Sequence, residues 1–264
     1  NNVALNFTTA SVQAPVIGNL NGDTVTFVED SSLVLLDSGV AAVVTDADSL
    51  SFANGKVTLQ ITGGGTSAED VLLIRNQGSG LNQVRVDGSN LWYNGNIVGS
   101  YSGGANGSPL VINLAADATP VSVTAVLCNL AYRNTNIVDP STTARSVSVT
   151  IDDGSGGTSA PATVTVNVVG VNDAPLVVTN GNFPVYTEGG SAVTLFNGTW
   201  ISTGEAGQSV VEMVFTVANL NNGGSEKLVI DGTDVTLLNN TRVTTTGTSL
   251  TVLVSGTGGT VTVT

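Results

Sequence analysis

An all-β chain built from antiparallel β-sandwich modules is expected from three observations. Thr, Val, Ser and Asn dominate the 264 residues, while aromatic residues number only 6 Phe, 4 Tyr and 2 Trp. β-branched side chains suit a pleated, half-buried surface. The 32 glycines sit with Asn, Asp and Ser in short clusters of the kind that supply turns. Between these clusters, apolar and polar residues alternate over short runs, which is the period of a strand with one buried face.

The runs come in order as VTLQIT (57–62), DVLLIR (70–75), QVRVDG (83–88), PLVINLA (109–115), RSVSVTID (145–152) and ATVTVNVV (162–169). Each is bounded by turn-forming residues, the signature of an all-β sandwich. Thr124 to Leu130 is the exception and is expected to form a short helical turn crossing the sandwich. No long segment of helical period exists.

An internal repeat organises these elements. SVQAPVI (11–17) matches VNDAPLV (171–177), and FVEDSSLVLLD (27–37) matches YTEGGSAVTLF (186–196). AEDVLLI (68–74) resembles SEKLVI (225–230), and SPLVINL (108–114) resembles TSLTVLV (248–254). Three segments follow. Residues 1–15 resemble the last strand and linker of a preceding repeat, 16–174 form a complete repeat, and 175–264 form a second that is shorter or truncated. On this alignment Thr264 falls opposite roughly Thr124, so the second copy lacks the last strands of the first. Two explanations are open. The chain is a piece of a longer tandem array, or its second copy is completed by the N-terminal strand of another chain, giving a head-to-tail filament or surface layer.

Charge narrows the function. Twenty acidic against 7 basic residues leave a formal charge of −13, which repels nucleic-acid phosphates and suits groups that await a cation. No run of the roughly 18 apolar residues of a membrane span is present, nor a visible signal peptide. The single cysteine, Cys128, lies in the apolar stretch VTAVLCNLAY and is expected to be a buried, inert thiol. Histidine is absent, which removes His-dependent triads and the commonest zinc ligand. Phosphate-cradling loops and GxSxG are absent too, and the chain is expected not to be an enzyme. Trp92, Tyr93 and Trp200 are expected in the core or on strand faces. A carbohydrate- or protein-binding module using Trp92 and Tyr93 is a further alternative.

Taken in order, GDTVTFVEDSSLVLLDSGVAAVVTDADSLSFANGKVTLQIT, the LWYNGNIVGSYSGGANGSPLVINLAADATPVSVTAVLCNLAYRNT stretch, RSVSVTIDDGSGGTS and VNVVGVNDAP resemble the cadherin-like (chondroitin-sulfate-proteoglycan-type) tandem repeats of large bacterial surface adhesins. The resemblance covers about 20–175 well and 175–264 in part. It implies tandem cadherin/Ig-like β-sandwich modules, secreted or displayed on the cell surface, with neighbouring repeats as partners and calcium stiffening the links between them.

Calcium takes about 6–8 oxygen ligands, so a site needs acids gathered from separate loops. Glu29 is one candidate. Asp46 and Asp48 are better ones, because an extended Asp-Ala-Asp turns both carboxylates to one side. Asn172 and Asp173 offer an amide and a carboxylate in the linker, stiffened by Pro175. By resemblance, Glu29, Asn172 and Asp173 fall on inter-repeat ligand positions, and Asp46 and Asp48 on the Asp-x-Asp that faces the previous repeat. The linker into the first copy reads Val12-Gln13-Ala14-Pro15, without an acid where its counterpart has Asp173. The second copy has STGEAGQS in place of the Asp-Ala-Asp, with Glu205 its one acid. Turn chemistry is the competing reading for Asp46-Ala-Asp48-Ser49. It is also the economical one for Asp152-Asp153-Gly154. Glu69-Asp70 is expected to flank an edge strand and discourage its pairing.

Overall fold

The structure, a computed structural model, describes residues 12–222 and 224–264. The strand expected within residues 3–15 lies, through Ser11, outside the described residues. The chain divides into two compact units between Asn172 and Asp173. It is nearly all β, with one short helix among the described residues.

Unit 1 contains β1 (Val16–Gly18), β2 (Thr24–Val28), β3 (Val34–Leu35), β4 (Val43–Thr45), β5 (Lys56–Gly63), β6 (Asp70–Ile74), β7 (Val84–Asp87), β8 (Asn90–Tyr93), β9 (Asn96–Gly103) and β10 (Leu110–Leu114). Helix α1 (Pro120–Leu127), β11 (Leu130–Asn134), β12 (Arg145–Asp152) and β13 (Ala162–Val169) complete it. An eight-stranded sheet runs in the order β2-β13-β12-β5-β10-β9-β8-β7, beside a three-stranded sheet β3-β11-β6 and a β1-β4 pair. Pairing is antiparallel except between β13 and β2, which run parallel from Thr24 opposite Thr165 to Val28 opposite Val169.

The alternation in the sequence explains the core. On β12, Val147, Val149 and Ile151 point inward. Val149 lies opposite Leu59 and Ile151 opposite Val57 on β5, and Val147 lies opposite Val164 on β13. Side chains of the eight-stranded and three-stranded sheets share one apolar cluster. Phe27 on β2 meets Tyr132 on β11 edge to face, with ring centroids 5.6 Å apart.

The helix begins four residues before the expected turn. Thr119 caps it: its hydroxyl accepts from the Ser122 N–H while the Ser122 hydroxyl accepts from the Thr119 N–H. Pro120 then supplies a φ already suited to the first turn. Val123, Val126 and Leu127 face the core. The cap and the proline precede the apolar run, which is why the run alone places the helix too late.

Unit 2 contains β14 (Leu176–Gly181), β15 (Phe196–Ser202), β16 (Phe215–Ala218), β17 (Lys227–Ile230), β18 (Thr233–Thr236), β19 (Thr241–Thr244), β20 (Thr251–Ser255) and β21 (Thr260–Val263). A four-stranded antiparallel sheet runs β16-β21-β20-β19, and β14-β15 and β17-β18 form two hairpins. Its core is small: Val235, Leu237, Val252, Val254, Val261 and Val263. Trp200, expected in the core or on a strand face, lies on β15 with half its surface exposed. No helix among the described residues is long and apolar enough to cross a membrane.

Candidate functional site

The acids singled out by sequence fall at the two ends of unit 1 and at the start of unit 2. At the end where the linker Val12–Pro15 arrives, Asp46 follows β4 and closes a turn. One of its oxygens, Oδ1, accepts the backbone N–H of Asp48 at 3.0 Å and of Ser49 at 2.9 Å. The extended Asp-Ala-Asp expected from the sequence is therefore replaced by a bend, with the backbone donors folding it back on Asp46. Burial opposes ionisation of Asp46, but the Asp48 and Ser49 N–H groups and the Asp48 side chain outweigh it and hold its pKa below the ordinary value. Asp48 reaches the linker, where its Oδ2 accepts from the Gln13 N–H at 3.0 Å.

A third acid joins this end. Asp153, in the turn between β12 and β13, is wholly buried. Its Oδ1 accepts from Ser155 N–H at 2.6 Å and Gly157 N–H at 3.0 Å. The turn has the Asp-Gly form expected of it, with Gly154 at φ +77° and Asp152 accepting the Gly154 N–H. Gly157 is required by close approach: a Cβ there would collide with Asp153 Oδ2 and with the carbonyl oxygen of Gln13. Asp153, the Gln13 carbonyl and Asp48 thus border one short piece of linker. The residue pattern signalled the turn but not the burial of Asp153, which depends on the linker lying against Gly157.

At the other end Glu29 follows β2 and is buried. Its N–H donates to Val169 O at 2.9 Å, and its Oε2 accepts the Val171 N–H at 2.7 Å. Asn172 closes the unit and is exposed. In unit 2, Asp173 donates its N–H to Glu205 Oε1 at 2.6 Å, and Gln208 donates to Glu205 Oε2.

Three carboxylate oxygens of unit 1 are shut away from water and receive no hydrogen bond from any described group: Asp46 Oδ2, Asp153 Oδ2 and Glu29 Oε1. Such an oxygen costs on the order of 1–3 kcal/mol unless something electropositive reaches it. All are hard donors of the kind that calcium takes. Among the described residues no three such side chains converge closely enough to hold a metal ion.

Glu69 and Asp70 do more than flank an edge. Although β6 lies at the edge of its sheet, Asp70 is buried and accepts from Arg145 Nε at 3.0 Å, from Tyr132 Oη and from the Thr66 N–H at 2.6 Å. Arg145 is fully buried, and its Nη1 donates to the carbonyls of Ser141 and Thr143. Burial and the Asp70 hydrogen bond push the Tyr132 phenol well above its usual value. Burial and the neighbouring Asp37 push the Cys128 thiol up to about 12, so its reactive thiolate form is suppressed. Trp92 is half-buried, with the Arg85 guanidinium 5.4 Å from its ring centre. That stacking covers one face of the indole.

No protein-family profile, curated protein or solved structure matches the chain.

Proposed function

We propose that the chain is a structural stretch of a tandem array of cadherin-like β-sandwich modules, secreted or held at a cell surface, in which calcium stiffens the ends of the modules. One observation carries this reading: the buried carboxylate oxygens that lack a hydrogen-bond donor lie where the chain enters and leaves unit 1. At the leading end, Asp46, Asp48, Asp153 and the Gln13 carbonyl are the candidate oxygens, although among the described residues no three of the carboxylates converge on one point. Glu29 and the Asn172 amide are the candidate oxygens at the trailing end. Bound calcium supplies charge neutralisation and a cross-link between the linker and the loops around it. The residues themselves fix the linker already, through the Asp48 bond to Gln13 and the Glu29 bond to Val171.

The sheet orders support the tandem reading. Counted along the chain, β5 to β10 and β16 to β21 are each six strands. In both sets the first lies beside the sixth, the sixth beside the fifth and the fifth beside the fourth. This favours pairing Leu110–Leu114 with Thr260–Val263 rather than with residues 248–254. Two layers of strands around the shared cluster of unit 1 support the sandwich.

Calorimetry with calcium and with chelator tests the proposal, with terbium luminescence as a direct probe of occupancy. The melting temperature of the first unit is expected to rise with calcium, and Asp153→Asn together with Asp46→Asn to remove the rise. Coincident melting curves in calcium and chelator would reject it.

A further inference from the structure

The sheet of unit 2 ends in an unblocked apolar edge. β16 pairs with β21 on one side, and among the described residues no strand lies on its other side. Its inward-facing Phe215 and Val217 are only partly covered. The same alternation continues backward to Met213 and Val211, of which Met213 is half exposed and Val211 96 % exposed. Exposed edges are normally blunted by charge, proline or a bulge; here Glu212 is the one charged residue between Val210 and Ala218. In unit 1 the strand that occupies the same place, β5, has β12 on that side from Lys56 opposite Asp152 to Gly63 opposite Ser146.

We infer that this edge of β16 accepts a strand from a second copy of the chain, supplied by residues Val3 to Thr9. The chemistry of that segment suits the edge. Val3, Leu5 and Phe7 alternate with Ala4, Asn6 and Thr8, which is the pattern of a strand with one face to bury. Extended at roughly 3.3 Å per residue, the seven residues exceed the four-residue ladder of β16 and reach back over Met213 and Val211. Residues 1–11 carry no charged side chain, whereas residues 173–264 carry seven acidic and two basic ones. An uncharged strand therefore meets no repulsion from this acidic unit. Main-chain hydrogen bonds to the open edge supply affinity, and the apolar face of the donor covers Phe215 and Val217. Of the tandem reading the inference borrows only the correspondence between β16 and β5, and it needs no cation.

Sedimentation velocity of the full chain over a hundredfold range of concentration, in chelator, tests it. Association that grows with concentration is expected. It should be lost in Leu5→Asp/Phe7→Asp, and lost again in Val211→Lys/Met213→Lys, whose exposed sites leave folding intact. A peptide of residues 3–11 in excess should cap the assemblies. A chain that stays monomeric throughout, as it does if its own N-terminal segment or nothing occupies the edge, overturns the inference. Association that survives Leu5→Asp/Phe7→Asp overturns it as well. Association that appears only with calcium does the same, and assigns the contact to the carboxylates instead.

Discussion

In unit 1, β5 is flanked by β10 and β12, and its inward residues Val57 and Leu59 are fully buried. In unit 2, β16 has a neighbour on one side among the described residues, and Phe183, Val185 and Val211 stand almost entirely in water. Both units are made from the same alternating strands, so strand propensity does not separate them. Closure does: a strand stabilises its sheet fully only when a second layer covers its apolar face and another strand satisfies its edge. Unit 1 adds a buried polar device that unit 2 lacks among the described residues, the Arg145–Asp70–Tyr132 cluster that ties β12 to the smaller sheet.

The sharpest way to break the comparison is to remove Arg145. Arg145→Met leaves the Asp70 carboxylate buried without its cation, at a cost of about 3–5 kcal/mol. Hydrogen exchange read by mass spectrometry should show lost protection in β6, β11 and β12, and none in β16 to β21. Equal loss in both units would contradict their separation.

A matched pair of cavities comes next. Leu59→Ala in unit 1 should cost about 4 kcal/mol and Leu237→Ala in unit 2 about 2 kcal/mol, because the small, half-open core can relax around the gap. Calorimetry resolving two transitions would measure each. Similar losses would mean that the second core is as tightly closed as the first.

The smallest effect is set by pH. Burial opposes ionisation of Glu69, but hydrogen bonds from Asn136, Asn134 and Ser141 and the charge of Arg145 outweigh it, so its pKa lies below the ordinary 4.5. A carboxylate depressed in the folded state contributes stability above its unfolded pKa and loses it as pH falls through the folded value. Unit 1 should therefore weaken in acid below pH 4.5, and Glu69→Gln should flatten that part of its melting profile. An unchanged profile in the variant would show that Glu69 has no part in acid sensitivity.

Much of the strand pattern was legible from residues alone. RSVSVTID and ATVTVNVV occupy the very spans of β12 and β13, because alternation records directly which face is buried. The helix was placed late because its start is set by Thr119 and Pro120, outside the apolar run. Trp200 lies on a strand face, the second of the two places expected for it, and is half exposed because an aromatic in an alternating run is buried only if another layer covers it. At the candidate site, Asp46 and Asp48 were visible as acids in a turn-rich loop, but a bend rather than an extended pair was found. Asp153 could not be distinguished from an ordinary Asp-Gly turn. Its burial arises from a linker some 140 residues earlier in the chain resting against Gly157, and no local pattern encodes that.

The parallel ladder between β2 and β13 has a consequence for a molecule pulled by its two ends. Tension arriving at Thr24 and leaving at Val169 drags neighbouring strands in opposite directions along their length. The hydrogen bonds from Thr24 beside Thr165 to Val28 beside Val169 lie across that pull and are loaded together in shear. An antiparallel hairpin opened from its free ends would instead unzip one bond at a time. The one parallel pair in the first unit among the described residues is thus its mechanical clamp, set where that unit's first long strand meets its last.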